Sequence, residues 1–211
     1  ASALGVLFVA GVPNRQFFVV FLIGLLGIAL LIAYVPWRWE RIISFVDPWS
    51  DPFNKGYQLT LSLMSIGRGD WFGVGLGESL MKMGYLPDAH TDFIFSILIE
   101  ELGLLAGILI ISMLFGISFR VFLIGRQSLQ RRNYFGFFFC FGAAILIGLH
   151  VFINVGVATG LLPTKGLTLP LFSAGGTNLL IMCSIIGLIL RIDYENKISM
   201  PIPRVKKRVN F

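Results

Sequence analysis

Asp88, His90 and Asp92 stand at every second position of the stretch Tyr85-Leu-Pro-Asp-Ala-His-Thr-Asp-Phe-Ile-Phe95, and Glu100 and Glu101 follow shortly after. Carboxylates and an imidazole this close can accept or release a proton in a group-transfer reaction. They can also offer ligands to a divalent cation, Mg or Mn, with Asp88 and Asp92 as the oxygen donors. What makes the cluster informative is its setting. It abuts the uncharged run Leu102–Phe119, and ionisable groups at membrane depth are costly enough to be functional by default. Thr91 or Asp92 capping a helix N-terminus is the plain alternative. Capping explains one such residue and not three.

A second polar segment runs from Gly160 to Thr177. It holds Pro163, Pro170 and the glycine pair Gly175 and Gly176, directly ahead of the last apolar stretch. Irregular backbone near membrane depth is tolerated where protein or a water-filled cavity satisfies it, and such breaks mark binding sites in membrane proteins. Lys165 is the cation of this segment. It either snorkels to the boundary or meets an anionic headgroup. His150 and Asn154 lie four residues apart and so on one helix face. They bond across helices or line a polar cavity. Glu100 and Glu101 point about 100° apart on a helix, so one of them is expected to pair with Arg or Lys of another helix and lock the bundle.

Gly73-Val-Gly75-Leu-Gly77 lacks the spacing and the βαβ setting of a dinucleotide site. It reads as a tight turn that lets a ligand or another segment come close. Cys140 and Cys183 lie in apolar runs without metal-ligand spacing and read as small hydrophobes.

The elements that must hold these groups are membrane helices. Of the 211 residues 56% are hydrophobic and 13% charged, with mean hydropathy +0.83. A soluble domain carries about 25% charged residues, so lipid is the main solvent of this chain. Four runs suit spans of about 20 residues: 17–35, 92–119, 134–157 and 172–190. The stretch Ala1–Gly11 reads as the end of an earlier span. The fold expected is all-α, a polytopic membrane helix bundle with a long extracytoplasmic loop, 36–91, and a cytoplasmic tail, 191–211.

Orientation follows from positive charge. With Arg120–Arg132 as a cytoplasmic loop, eleven Lys and Arg lie inside and six outside, together the 17 of the chain. The net charge of +6 then needs no nucleic acid, because the tail Arg204–Arg208 serves as a topology anchor at an anionic surface. The outer loop is too long for a turn. Its Trp37, Trp39, Trp49 and Trp71 suit a lid on the outer leaflet. Within it, Gly56–Gly67 is ambiguous by periodicity, with an interfacial or partly embedded helix preferred.

The order of motifs resembles the SEDS family (shape, elongation, division and sporulation). The resemblance is carried by Asp47-Pro-Trp49, Asp51-Pro-Phe53, Gly56-Tyr-Gln-Leu59, Gly67-Arg-Gly69 and Phe72-Gly-Val-Gly-Leu-Gly77. It continues through Tyr85–Phe95 and Glu100-Glu-Leu-Gly103, and from Asn154-Val-Gly156 to Ser173-Ala-Gly-Gly176, and ends at Leu190–Glu195. Two departures stand out. Asp88 stands where the family usually has Glu, and Ala174 where it has Tyr.

The resemblance implies a peptidoglycan glycosyltransferase, multi-pass in the bacterial cytoplasmic (inner) membrane, acting outside it at the division septum. It also implies that this chain is the C-terminal half of a longer protein. The substrate would be lipid II and the partners a class B penicillin-binding protein, the septal transpeptidase, with other divisome membrane proteins. Asp92 would be the catalytic base. Lys165, Arg68, Lys82, His90 and Ser173 would bind substrate, the cations facing its pyrophosphate. Alternatives are a lipid II flippase and a non-catalytic division scaffold that recruits a transpeptidase. A flippase needs a polar path through the whole membrane, and Leu102–Phe119 and Phe135–Leu149 carry no charge.

Overall fold

The structure is a computed structural model that describes residues 2–34, 45–54, 56–87 and 89–198. Among these residues it is helical, with no strand. The helices are α1 (Ser2–Val9), α2 (Asn14–Tyr34), α3 (Tyr57–Gly69), α4 (Ile94–Gln130), α5 (Tyr134–Ala158) and α6 (Gly176–Ile198), with a short 3₁₀ turn at Met81–Met83. Four of them, α2, α4, α5 and α6, are long and apolar enough to cross a membrane. Asp88, Lys55, Trp37, Trp39 and the basic tail lie outside the described residues.

The centre is the antiparallel pair α4 and α5. Small residues let the two backbones approach, as lipid-embedded helices require. Gly125 lies against Cys140, Gly148 against Ser118, and Ser118 Oγ donates to Ala144 O at 2.7 Å. The half of the pair nearer the α4–α5 connection, termed the inner half, packs with α6 through Val121, Ile124, Cys140, Ala143, Ala144, Ile189 and Ile192, and the opposite end of the bundle is termed the outer end. Asn196 Nδ2 closes that end by donating to Ser128 Oγ at 2.8 Å and Ile124 O at 3.3 Å.

Three boundaries differ from the sequence reading by more than about one helical turn, each for a physical reason. Helix α4 runs to Gln130 rather than ending near 119, because Val121, Phe122, Leu123 and Ile124 continue its apolar side while Arg120 and Arg126 stay exposed. The connection to α5 is therefore only residues 131–133, and Asn133 Oδ1 caps α5 by accepting from Gly136 N at 2.9 Å. Helix α6 continues past Arg191 to Ile198, supported by two i,i+4 pairs, Arg191–Glu195 at 2.9 Å and Lys197–Asp193 at 2.5 Å. It starts at Gly176 rather than 172, because Pro170 and Leu171 (φ 66°) hold the preceding chain out of helical geometry.

The segment left ambiguous by periodicity is a helix throughout, α3. It buries Thr60, Ser62 and Ser65 and exposes Met64, so its polar side faces protein. Its target is the outer end of α4. Ser62 Oγ and Ser96 Oγ share a 2.5 Å hydrogen bond, and Ser62 Oγ also reaches Ala158 O at 2.7 Å. Gly69 lies directly on the carbonyl of Ile99.

Helix α4 is broken. Gly103 sits at φ 86°, ψ 170°, which leaves an outer limb, Ile94–Leu102, set off from the long inner part. The glycine loop supplies what the break frees. Val74 N donates to Glu100 O at 2.9 Å and Gly75 N to Glu101 O at 3.1 Å. In return Leu104 N donates to Asp70 O at 2.9 Å. Gly73 and Gly103 lie back to back, where a Cβ on either would overlap the other segment's backbone. This is how broken helix survives near membrane depth: protein replaces the missing intrahelical partners.

Candidate functional site

Two segments meet at the outer end of the bundle: 90–93, ahead of α4, and 165–174, ahead of α6. Their meeting is held by side chains reaching backbone. Asn154, 1% exposed, donates both Nδ2 hydrogens, to Asp92 O at 2.9 Å and to Leu167 O at 2.7 Å. Ser173 Oγ donates to Thr91 O at 2.5 Å and accepts from Leu169 N at 2.7 Å. Ala174 N donates to His90 O at 2.9 Å. Beneath lie Leu86, Ala89, Phe93, Ile97 and Val157, an apolar floor.

Asp92 is half-buried here. Helix α4 begins beyond it, with Phe93 as the N-cap residue, so neither Thr91 nor Asp92 takes the capping position. The Asp92 carboxylate points at the backbone of Gly166: a Cβ placed there would sit 3.1 Å from Asp92 Oδ2. Lys165, the next residue back, is exposed, and its ammonium has no partner among the described residues. The His90 side chain is exposed on the same segment. A carboxylate able to take a proton thus stands beside a segment whose cation is available to an anion. That is the minimum equipment for displacing an anionic leaving group with a hydroxyl.

The other expected residues have different duties. Glu100 is fully buried and accepts four hydrogen bonds, from Ser65 Oγ at 2.9 Å, Arg68 Nη1 at 2.8 Å, Ser79 Oγ at 2.6 Å and Leu80 N at 3.2 Å. Glu101 takes Lys82 Nζ at 2.7 Å. Arg68 and Lys82 were expected to face a pyrophosphate; here each is held by a carboxylate that already compensates its charge. Both glutamates are paired, where one pair was expected. Removing one partner of a buried pair costs about 3–5 kcal/mol, and the 38% exposure of Arg68 places this pair at the lower end. Ser173, expected at the substrate, is 7% exposed and spends its hydroxyl on backbone. It ties the two segments together.

Asn154 bonds across segments as expected. His150, one turn deeper, has a buried Nδ1 without a hydrogen-bond partner, as does Asn154 Oδ1. Among the described residues no three of His, Cys, Asp and Glu gather to hold a metal. Asp88, the other expected ligand, lies outside the described residues.

Sequence reasoning missed Gly166, Gly103, Ser65 and Ser79. Ser62 and Ser65 did carry a signal, two hydroxyls three residues apart in an apolar stretch, and so one buried stripe of a helix. For Gly166 and Gly103 the demand comes from a segment distant in sequence.

The profile of the family described as cell cycle protein, which groups FtsW, RodA and SpoVE, matches residues 1–198. The chain belongs to this family. Among curated relatives of this SEDS chain, the probable peptidoglycan glycosyltransferase FtsW of Alkalilimnicola ehrlichii is 49% identical over 214 residues, covering 99% of this chain and 52% of that protein. The protein of the same description from Halorhodospira halophila is 52% identical over 198 residues, covering 92% and 49%. The chain spans about half the length of the curated relatives it matches. A chain in a solved peptidoglycan synthase complex, reported for the structural coordination of polymerization and crosslinking, superposes with TM-score 0.66 at 30% identity, over 92% of this chain and 53% of that one. Family and helices together make this a multi-pass membrane protein.

Proposed function

We propose that this chain carries the reactive end of a peptidoglycan glycosyltransferase that polymerises lipid II outside the bacterial cytoplasmic membrane during septal wall synthesis. The observation that carries the proposal is the meeting of Asp92 with the segment 165–174. The relatives named probable peptidoglycan glycosyltransferases support the choice of reaction.

In the step envisaged, a hydroxyl oxygen of the acceptor sugar attacks the anomeric carbon of the donor. A new carbon–oxygen bond forms as the bond from that carbon to the lipid pyrophosphate breaks. Asp92 takes the hydroxyl proton, and the departing oxygen leaves with its electron pair as part of the pyrophosphate. Lys165, exposed and one residue before the Gly166 that faces the carboxylate, offsets the charge that develops there. The apolar outer surfaces of α4 and α6 keep the isoprenoid tail in lipid. A class B penicillin-binding protein would crosslink the strands so made.

The test is polymerisation of lipid II by the full-length protein with its partner in proteoliposomes, comparing the parent with Asp92→Asn. Asn keeps the shape and loses the base. General-base catalysis contributes about 10²–10⁴-fold, so a loss of at least about 10²-fold is expected. A folded Asp92→Asn protein with parental activity would remove Asp92 from the reaction.

A further inference from the structure

We infer that Glu100 is a positioning residue that sets the aim of Asp92, an assignment that rests on the proposed role of Asp92. The break at Gly103 changes how the start of α4 is held. An unbroken helix would fix the tilt of its first turns through its own hydrogen-bond ladder. Here the ladder is interrupted, and the outer limb Ile94–Leu102 has to take its direction from whatever it packs against. On the α5 side Asn154 and Ser173 hold the segment that carries Asp92 by its carbonyls. On the other side the hold is polar and centred on Glu100.

Four donors from two places converge on that carboxylate. Ser65 and Arg68 come from α3, Ser79 Oγ and Leu80 N from the loop that follows it. Ser65 Oγ also reaches Ser96 O at 3.1 Å, one turn back along the limb. Glu100 has 0% exposure. A buried carboxylate with all its donors in place is a rigid joint, because losing any one donor strands charge in a medium that cannot solvate it. The joint fixes the cover, α3 and the loop after it, to the limb at the end far from Asp92.

Leverage makes this matter for chemistry. From the break to Asp92 is roughly 15 Å of helix rise. A tilt of about 5° about Gly103 therefore moves the carboxylate by about 1 Å, and a misplacement of that size costs about 10²-fold in rate. The end of the limb near Asp92 is thus held by amide and hydroxyl ties to α5, to the segment ahead of α6 and, through Ser96, to α3, while the end near the break is held to the cover by the ionic joint at Glu100. Glu100 touches no substrate in this scheme and acts through Asp92.

The experiment uses the full-length protein with its partner in proteoliposomes and compares Glu100→Gln, Ser79→Ala and Asp92→Asn with the parent. Ser128→Ala serves as a purely structural control at the opposite end of the bundle. Folded fraction, melting temperature, kcat per folded molecule and KM for lipid II are measured for each. The expectation for Glu100→Gln is a fall in kcat of about tenfold or more, with KM within about twofold. Ser79→Ala, which loses one neutral donor and folds more readily, falls by about threefold in the same manner. Ser128→Ala lowers the melting temperature and leaves kcat per folded molecule unchanged. If Glu100→Gln and Ser79→Ala both keep parental kcat per folded molecule, or raise only KM, Glu100 does not position the base, even with Asp92→Asn inactive. If Asp92→Asn keeps parental activity, the reaction assignment falls and the positioning role falls with it.

Discussion

Among single residues, Gly166 leaves the Asp92 carboxylate little space on one side. Gly166 is exposed, yet a methyl group there would come within 3.1 Å of Asp92 Oδ2. Its backbone demands no left-handed conformation, so alanine carries no conformational penalty of its own. Gly166→Ala should therefore fold like the parent and displace the carboxylate by a few tenths of an ångström. Polymerisation should fall by about tenfold, read as kcat at unchanged melting temperature. Parental kcat would mean that the carboxylate moves without consequence. The residues that carry charge at this end were legible in sequence, because ionisable groups beside apolar runs announce themselves. Their division of labour was not. Arg68, Lys82 and Ser173 look alike in sequence to a group that meets a ligand, and only the structure shows each already committed to a carboxylate or to backbone.

At the scale of elements, the broken helix is the device that builds the site. Gly103 adopts φ 86° and lies against the backbone of Trp71 and Gly73. Gly103→Ala adds both left-handed strain and overlap. The cost is at least about 1–3 kcal/mol, read as a lower midpoint of thermal unfolding in detergent and a smaller folded fraction. An alanine variant with the parental midpoint would show that the loop and helix part freely. Apolar runs told where helices lie, since length and composition suffice for that. They did not tell where helices end. Arg120 and Arg191 looked like borders, but exposed charges on an otherwise apolar face leave a helix intact, and i,i+4 partners strengthen it. Nor did composition show the break at Gly103, because what permits it is the loop 70–75 reaching in from far along the chain.

At the scale of the whole molecule, the arrangement is a hydrophobic bundle with its polar chemistry confined to one end. The inner end closes on Asn196, Ser128 and apolar packing, and the outer end carries Asp92, His90 and Lys165. Beyond its polar first turn, Asn14–Gln16, helix α2 exposes apolar side chains such as Phe18, Leu22, Ile23, Leu26 and Leu30, as suits a span in lipid or in a larger assembly. All-α architecture and membrane residence followed from composition alone, while the convergence of residues 90–93 with 165–174 is tertiary and had to be seen. In the proposed function, that convergence forms a single site that takes the lipid pyrophosphate between the aspartate and the lysine. The most direct measurement is an electron-density map of the full-length complex with a bound lipid-linked pyrophosphate sugar. The pyrophosphate is expected against Lys165 Nζ, with the anomeric carbon facing Asp92. A pyrophosphate seated elsewhere, with these two residues in contact only with protein and solvent, would contradict this assignment.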